Sequence, residues 1–249
     1  MKAPNSLHSM STTPISSGPA RRLSHYPLVA FYESSIGKKI IVAVTGLLLI
    51  VYVLGHLLGN LQIYLSAERL NIYAQFLQGL GPLLLLIRIG LLAVFLIHVV
   101  ATVQLTLENR RAKPQKYAVP GYQRSTTASR TMIVSGLIVL CFIIYHLLHF
   151  TLQTTNPEFR ELHDSAGRHD VYRMLILGFQ QPLISIFYVL GLFLLTLHLS
   201  HGFASVTQTL GINNRKLEGF ISTGGQTLAW LVFAGYVSIP LSILLGIVR

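Results

Sequence analysis

An all-α integral membrane protein with five transmembrane helices is the fold that this sequence predicts, and three observations predict it. Of its 249 residues, 52% are hydrophobic and only 11% are charged, whereas about a quarter of a soluble domain is charged. The apolar residues gather in five runs, each long enough for the roughly 20 helical residues that cross a hydrocarbon core. Lys and Arg gather in the connections on one side of these runs, as the positive-inside rule requires.

The five runs have ends that suit transmembrane helices. Pro82 and Pro182 lie in the first turns of two of them, where a backbone N–H is not needed. Ser34 or Ser35 can cap the first helix, and Lys38 can extend its ammonium group to the membrane interface. The predicted spans are residues 39–64, 82–107, 130–152, 182–210 and 227–248.

The remaining segments differ in character. Residues 1–30 are rich in Ser and Pro and lack the apolar core of a secretory signal, so we predict a flexible cytoplasmic tail. Residues 65–81 have the amphipathic pattern of a segment that lies at the membrane interface. Residues 153–181 predict a long polar loop over the outer end of the bundle, in which His163 and His169 are solvated.

The basic residues define an orientation in the membrane. The connection at 108–130 carries six Lys and Arg residues against one acid. The tail and the 211–226 connection add further Lys and Arg, while the opposite connections contain Asp and Glu beside their arginines. The N-terminus is therefore predicted to lie in the cytoplasm and the C-terminus outside. Because this distribution accounts for the net charge of +11, a nucleic-acid partner is not expected.

Histidines are the functional signal in the predicted spans. The first four spans each contain at least one histidine, and the fifth contains none. At a rise of about 1.5 Å per residue, His56 and His146 share a depth in the outer half of the bundle. His98 and His198 share a depth in the inner half. The two layers are separated by roughly 13 Å along the membrane normal.

Two imidazoles at one depth on facing helices are what bis-histidine ligation of a haem iron requires. The sequence therefore predicts a bundle of five helices, four of which enclose two haems. The same pairs can bind a divalent metal, but the predicted spans contain no Asp or Glu to orient the ligands. That composition also disfavours a metal transporter and a carboxylate proton relay. Cys141 is the one cysteine, so c-type haem attachment and an intrachain disulfide are excluded.

Three further polar residues in the spans are candidates for contacts with these groups. His149 and His201 each follow a layer histidine by three residues, so either member of each doublet can face inward. Depth favours His146 and His198 as the inward members. The other two can contact haem propionates, line a quinone pocket or lie at the interface. Arg88, the charge predicted to be buried within a span, is a partner for a propionate or an arginine that reaches outward to the interface.

Four glycines lie near the depth of the histidine layer that their own helix does not supply. A bare backbone there leaves room for the edge of a porphyrin, although close packing of membrane helices also favours glycine. The spacing from Gly46 to His56 recurs from Gly136 to His146, a weak sign of duplicated helix pairs. The four glycines are Gly46, Gly90, Gly136 and Gly191.

Four short motifs carry a resemblance to a known family. They are SSIGKK at 34–39, GHLLGN at 55–60, YHLLHF at 145–150 and HLSHG at 198–202. In order and spacing they resemble the cytochrome b subunit of bacterial succinate dehydrogenase. More narrowly, they resemble the single-subunit, five-helix, two-haem anchors that work with menaquinone. The resemblance covers residues 31–249, the predicted cytochrome b domain.

The resemblance implies cofactors, partners and a location. It implies two b haems in a bacterial inner membrane, the outer iron held by His56 and His146 and the inner iron by His98 and His198. A flavoprotein subunit with the succinate site and an iron–sulfur subunit are expected on the cytoplasmic face, so no catalytic residue is expected in this chain. Electrons from succinate, an intermediate of the tricarboxylic acid cycle, would pass from the iron–sulfur subunit through the two haems to menaquinone.

Other functions stay open at the level of the sequence. The same chain can serve fumarate reduction in the reverse direction, or anchor a different oxidoreductase such as a hydrogenase or a formate dehydrogenase. If the chain were a transporter with histidines along its path, the purified protein would be colourless. A purely structural anchor without haem would not need four level histidines.

The quinone contacts carry over least well from the resemblance. Some members of the family place an acid near the outer end of the second span, whereas the nearest acid here is Glu68, outside that span. The polar candidates near the outer layer are Asn60, Gln62, Glu68 and Gln75, and those for an inner site are Ser35 and Lys38.

Overall fold

A computed structural model describes residues 26–112, 127–212 and 218–249 of the chain. Over these ranges the chain is helical apart from short connections and one isolated bridge between His163 and His169. Five helices are long and apolar enough to span a membrane, which confirms the predicted all-α, five-span fold. The helices are α1 (Pro27–Glu33), α2 (Ser35–Asn60), α3 (Ala67–Gly79), α4 (Pro82–Ala112), α5 (Thr127–His146), α6 (Val171–Phe179), α7 (Pro182–Thr209) and α8 (Glu218–Leu244).

The first helix, α1, begins at Pro27, before the end of the segment 1–30 that the sequence assigns to a flexible tail. The rest of that predicted tail, up to residue 25, lies outside the described residues. So does most of the basic connection, at 113–126, together with 213–217.

Several ends of the spanning helices differ from those predicted from hydropathy. α2 begins at Ser35 rather than at residue 39, because the Ser34 hydroxyl accepts a 2.8 Å hydrogen bond from the Gly37 N–H and caps the helix. α4 continues past residue 107, and α8 begins and ends earlier than the predicted 227–248. Hydropathy marks where a helix leaves hydrocarbon, whereas backbone hydrogen bonding continues through its polar terminal turns.

Four of the five spanning helices form a ring. α2 packs against α4 and α7, and α5 packs against α7, whereas α4 and α5 contact each other at few points. The order round the ring is therefore α2, α4, α5, α7, which puts α2 diagonal to α5 and α4 diagonal to α7. The fifth span, α8, lies outside the ring, packed along α7 and in part against α2.

Small residues let α8 approach the ring closely. Ala229 is fully buried beside Ile50 and Leu199, and a Cβ atom at Gly235 would lie 3.1 Å from the Leu57 side chain. Close backbone approach at small residues is a usual basis of helix association in lipid. α4, by contrast, carries exposed Leu and Ile side chains along its length, and an apolar surface of that size is typical of contact with a membrane.

The outer connection 153–181 is not the polar loop that the sequence predicts. It contains a 3-10 helix, Pro157–Glu161, and the helix α6, which packs its apolar face against the bundle. The apolar run of α6 is too short to span a membrane and stands between polar segments, which is why the sequence pattern indicated a loop. The buried residues of α6 are Met174, Leu175, Ile176, Gly178 and Phe179.

A buried amide joins α3 to this outer connection. The amphipathic segment 65–81 forms the helix α3, and its Asn71 is 2% exposed. The Asn71 side-chain oxygen accepts a 3.0 Å hydrogen bond from the Tyr172 N–H, and its amide donates to Asp170 at 2.9 Å. Because a buried amide is costly without such partners, these bonds fix the position of the outer connection.

The two histidines of the outer connection differ in their exposure. His163 is exposed, as predicted, whereas His169 is half-buried. The His169 Nδ1 atom lies 3.2 Å from the Leu162 carbonyl, and Nε2 lies 3.2 Å from the Gln153 side chain. The expectation that both are solvated is therefore wrong for His169, because the connection folds back on itself.

Candidate functional site

The outer histidines meet across one diagonal of the ring. His56 comes from α2 and His146 from α5, and their ring centroids lie 5.9 Å apart with the planes at 78°. A metal–imidazole bond of about 2 Å on each side puts two axial ring centroids about 6 Å apart. The spacing therefore fits two imidazoles that share one metal centre.

Aromatic side chains surround this outer pair. Tyr52 stacks on His56 with a centroid distance of 5.6 Å, and Tyr236 of α8 lies 6.1 Å from the same imidazole. Such rings exclude water and lower the local dielectric. In proteins that bind a redox-active metal, this is one way in which the reduction potential is set. The rings around His146, at centroid distances of 6.0 to 6.3 Å, are Phe142, Phe150 and Tyr188.

A π-helical turn follows His146 directly. It comprises residues Leu147–Thr151, and the Leu152 N–H donates to the Leu147 carbonyl at 2.7 Å. Turns of this kind within helices are frequent at functional sites. Here the turn carries His149, whose imidazole packs against Tyr188 of α7.

His149 is enclosed completely, with 0% of its surface exposed. Its Nδ1 atom lies 3.0 Å from the Tyr188 hydroxyl, and a Cβ atom at Gly178 of α6 would lie 3.3 Å from its Cε1 atom. Its Nε2 atom is buried without a hydrogen-bond partner among the described residues. The structure thus separates the doublet, since His146 meets His56 while His149 lies beneath the outer connection.

The inner histidines come from the other diagonal of the ring. His98 belongs to α4 and His198 to α7, two helices that lie diagonal to each other in the ring. Each also contacts a hydroxyl of the next helix in the ring. The His98 Nδ1 atom lies 3.0 Å from Thr45 Oγ1, and the His198 Nδ1 atom lies 3.5 Å from Ser135 Oγ. The second doublet member, His201, lies about one turn further along α7 and is half-buried.

Two glycines lie level with the inner histidines, as their depth predicts. A Cβ atom at Gly46 would lie 3.2 Å from the Cε1 atom of His98, and one at Gly136 would lie 3.4 Å from the same atom of His198. The close neighbour in both cases is an imidazole. The bare backbone therefore admits the histidine ring of the adjacent helix.

The two outer glycines behave differently. The Phe142 ring occupies the space that a Cβ atom at Gly191 would need, so this glycine serves the packing of α5 on α7. A Cβ atom at Gly90 would have no neighbour within 4 Å. Neither glycine contacts an outer histidine, in contrast to the inner pair.

Two charged residues of the spanning helices differ in their exposure. Lys38, predicted at the interface, has a side chain only 3% exposed, and its ammonium pairs with Glu108 of α4 at 2.8 Å. Glu108 is available because α4 continues through the residues that hydropathy assigned to the basic connection. Arg88, for which the sequence left open a propionate partner or an outward reach to the interface, lies exposed on α4.

The candidate residues for an outer quinone site do not converge. Asn60 donates to the His56 carbonyl at 2.7 Å and lies 3.3 Å from the imidazole nitrogens of the same residue. Gln62 is half-buried in the 3-10 helix that follows α2, and Glu68 is exposed in the first turn of α3. Gln75 lines a cavity of about 310 Å³ beneath the outer connection, together with Gln78, His163, Gly167, Arg168 and His169.

The two inner candidates lie one turn apart on α2, and both are close to Glu108. Ser35 lines a cavity of about 510 Å³ at the predicted cytoplasmic end, together with Glu108, Asn109, Arg111 and Ala112. The Lys38 ammonium is instead held by the Glu108 carboxylate and by the Glu33 carbonyl at 3.3 Å. Lys38 therefore links α2 to α4 through its ion pair with Glu108.

Sequence reasoning missed the polar and aromatic neighbours of the histidines. The sequence does contain a signal for the two hydroxyls. A hydroxyl residue followed by glycine, Thr45-Gly46 or Ser135-Gly136, stands at the same spacing before His56 and before His146. The tyrosines carry no such signal, since the rotation of each helix about its axis decides which of them face the pairs. These tyrosines are Tyr52, Tyr188 and Tyr236.

The donor set at both levels is a pair of imidazoles. Among the described residues no group of three or more His, Cys, Asp or Glu side chains forms a metal cage. A pair of axial nitrogens suits a metal whose remaining ligands belong to a macrocycle, as in haem. Searches against protein families, curated proteins and solved structures return no match to this chain. Functional assignment therefore depends on the geometry of the histidines and on the sequence motifs.

Proposed function

We propose that the chain is the di-haem cytochrome b membrane anchor of a succinate:quinone oxidoreductase. The observation that carries the proposal is the meeting of His56 and His146 across one diagonal of the ring, at a spacing that suits two axial imidazoles. The second diagonal supplies His98 and His198 at the other level. Four imidazoles in two levels on four helices match a chain that holds two b haems.

The described residues fit such a cofactor chemically. Bound haem would supply reversible one-electron transfer. The chain itself would hold each iron between two neutral imidazoles, exclude water with aromatic rings and fix the rotation of the imidazoles by hydrogen bonds. The acid of α4, Glu108, lies ten residues beyond His98 and is paired with Lys38.

The partners are proposed from the sequence motifs and from charge. The inner pair lies toward the end of the bundle whose connections are rich in Lys and Arg, the end predicted to be cytoplasmic. We place an iron–sulfur subunit and a flavoprotein subunit there, and a menaquinone site near the outer pair. The same arrangement would serve fumarate reduction in the opposite direction.

Haem content is the measurement that tests the proposal. We expect a pyridine haemochrome assay on purified protein to give a b-type spectrum with about two haems per chain. His56→Ala and His98→Ala should each lower that value to about one, since each removes an axial ligand of a different haem. His163→Ala is the matched control, because His163 is exposed in the outer connection, and it should keep both haems.

Two results would contradict the proposal. Protein that is colourless after expression with adequate haem would rule out the ligand assignments and leave only a five-helix membrane protein. Protein with two haems that co-purifies with hydrogenase or formate dehydrogenase subunits would keep the cytochrome and remove the succinate assignment. Gel filtration of each variant distinguishes loss of haem from loss of fold.

A further inference from the structure

A hydroxyl residue followed by glycine occurs at equivalent places in two helices of the ring. Thr45-Gly46 lies on α2 and faces His98 of the neighbouring α4. Ser135-Gly136 lies on α5 and faces His198 of the neighbouring α7. The two halves of the ring therefore repeat one arrangement, in which a hydroxyl contacts the Nδ1 atom and a glycine contacts the Cε1 atom of an inner histidine.

The direction of the hydrogen bond at Thr45 follows from the number of protons. A hydroxyl has one proton to donate. The Thr45 hydroxyl lies 2.6 Å from the Ile41 carbonyl, a backbone acceptor that can only take that proton. Toward His98, whose Nδ1 atom is 3.0 Å away, Thr45 is then left as an acceptor. The proton between the two side chains must therefore be on the Nδ1 atom.

An acceptor opposite the Nδ1 atom decides the tautomer of a neutral imidazole. With Thr45 Oγ1 as that acceptor, neutral His98 takes the Nδ1–H tautomer rather than the Nε2–H tautomer. In the Nδ1–H tautomer the lone pair that can bind a metal is on Nε2.

The arrangement at Ser135 is the same but looser. Its hydroxyl donates to the Met132 carbonyl at 3.0 Å, and the His198 Nδ1 atom lies 3.5 Å away. The longer distance makes a weaker hydrogen bond. The two inner histidines are therefore oriented alike, with the stronger constraint on His98.

The glycines make this close approach possible. A methyl group at Gly46 would lie 3.2 Å from the His98 ring, tighter than an ordinary van der Waals contact. The ring would have to move away from α2, which would lengthen its hydrogen bond to Thr45. A small residue next to the hydroxyl is thus part of the same arrangement.

We propose that Thr45 and Ser135 are positioning residues for the inner histidine pair, each holding its histidine as the Nδ1–H tautomer so that Nε2 is free to bind the iron. The iron-binding role rests on the proposed function, whereas the tautomer does not. An acceptor on the distal ring nitrogen makes an axial imidazole more basic, which stabilises ferric over ferrous iron. With haem bound, Thr45 would therefore also lower the reduction potential at the inner pair.

The test compares three variants of the full chain in lipid bilayers. Thr45→Val keeps the shape and removes the acceptor, while Thr45→Ser keeps the acceptor. Thr106→Val is the matched control, because the Thr106 hydroxyl makes a similar 2.8 Å bond to a carbonyl of its own helix, that of Thr102. Chains labelled with ¹⁵N-histidine are reduced, so that any low-spin haem iron is diamagnetic, and His98 is assigned by comparison with His98→Gln.

We expect the unmodified chain, Thr45→Ser and Thr106→Val to show a protonated Nδ1 atom at His98, and Thr45→Val to lose that preference. Thr45→Val should also weaken retention of one haem by roughly 10- to 100-fold and raise its midpoint potential. Protonation of Nε2 at His98 in the unmodified chain would overturn the proposal. So would a Thr45→Val chain that behaves like Thr106→Val in both measurements.

The two proposals fail in different ways. A colourless chain with a protonated Nδ1 atom at His98 refutes the haem assignment and leaves the tautomer constraint in place. A chain with two haems in which Thr45→Val changes neither the ¹⁵N signal nor the potential refutes only the positioning role of Thr45.

Discussion

Lys38 takes its role from its surroundings in the folded chain. Its ammonium group is almost fully buried, lies 5.6 Å from the centre of the Tyr32 ring and is paired with Glu108, whose side chain is 29% exposed. A buried charge pair contributes little net stability, but removal of one partner leaves the other charge unpaired in a poor solvent. The pair therefore matters most when it is broken on one side.

Removing the charge of Glu108 tests this account. We expect Glu108→Gln to lower the free energy of unfolding by roughly 3 kcal/mol, because the Lys38 ammonium stays buried without its anion. Denaturant titration in mixed micelles, followed by far-UV circular dichroism, measures the change. Arg111→Gln, an exposed position on the same helix, is the control and should change stability by less than about 0.5 kcal/mol.

A double variant separates loss of the pair from burial of a lone charge. Lys38→Met combined with Glu108→Leu should recover most of the stability lost in Glu108→Gln, since no charge is then left to desolvate. A double variant as unstable as the single one would mean that the pair itself contributes the stability, contrary to this account.

At the scale of elements, the outer connection is held by a tight turn at Asp164. This carboxylate accepts hydrogen bonds from the Ala166 N–H at 2.9 Å and the Arg168 N–H at 3.0 Å, and it pairs with the Arg168 guanidinium at 2.7 Å. Burial raises the pKa of the Asp164 carboxyl, but these bonds outweigh burial and hold the pKa below its ordinary value of 3.8. The turn therefore depends on the ionised form.

The sign of the pH dependence follows from that lowered pKa. The contribution of Asp164 is fully present above its unfolded pKa, near 3.8, and is lost as pH falls through the lower folded value. We expect Arg168→Met to raise the pKa of Asp164, so that the turn opens at a higher pH. The ¹³C shift of the Asp164 carboxyl, followed against pH, measures this. Arg160→Met removes an exposed arginine that bonds to the Leu152 carbonyl, and an equal effect there would contradict the account.

At the scale of the whole molecule, two features bear on the proposed function. One is the pairing of histidines across the two diagonals of the ring, and the other is the uneven distribution of Lys and Arg between the two sides of the membrane. The diagonals bring together histidines from helices that are not neighbours in the ring, so each level depends on the whole bundle. The charge asymmetry predicts which level faces the cytoplasm. Orientation is thus a property of the complete chain and can be tested directly.

Cysteine labelling in intact cells tests the orientation. Cys141 is exposed on α5, so Cys141→Ser first removes the native thiol. A membrane-impermeant thiol reagent should then label Ser165→Cys in the outer connection in intact cells, because that position is exposed and predicted to lie outside. Asn109→Cys, near the end of α4, should be labelled only after the cells are opened. The reverse pattern would invert the topology and place the inner pair away from the cytoplasm.

The sequence by itself determined the properties that depend on composition along one helix. Apolar runs gave five spans because any 20-residue apolar segment must satisfy its backbone as a helix in lipid. The depth of each histidine followed from the constant rise per residue, which predicts that His56 and His146 share a level before any packing is known. The Ser34 cap was likewise local.

Only the tertiary structure decided which side chains face one another. Rotation about a helix axis, the π turn after His146 and the folding of α6 over the bundle depend on contacts between distant segments. These contacts placed His149 against Tyr188, Thr45 against His98 and Lys38 against Glu108. Hydropathy fixes the depth of a residue in the membrane but carries no information about the rotation of its helix about the helix axis. That rotation decides which hydrogen bonds and ion pairs form.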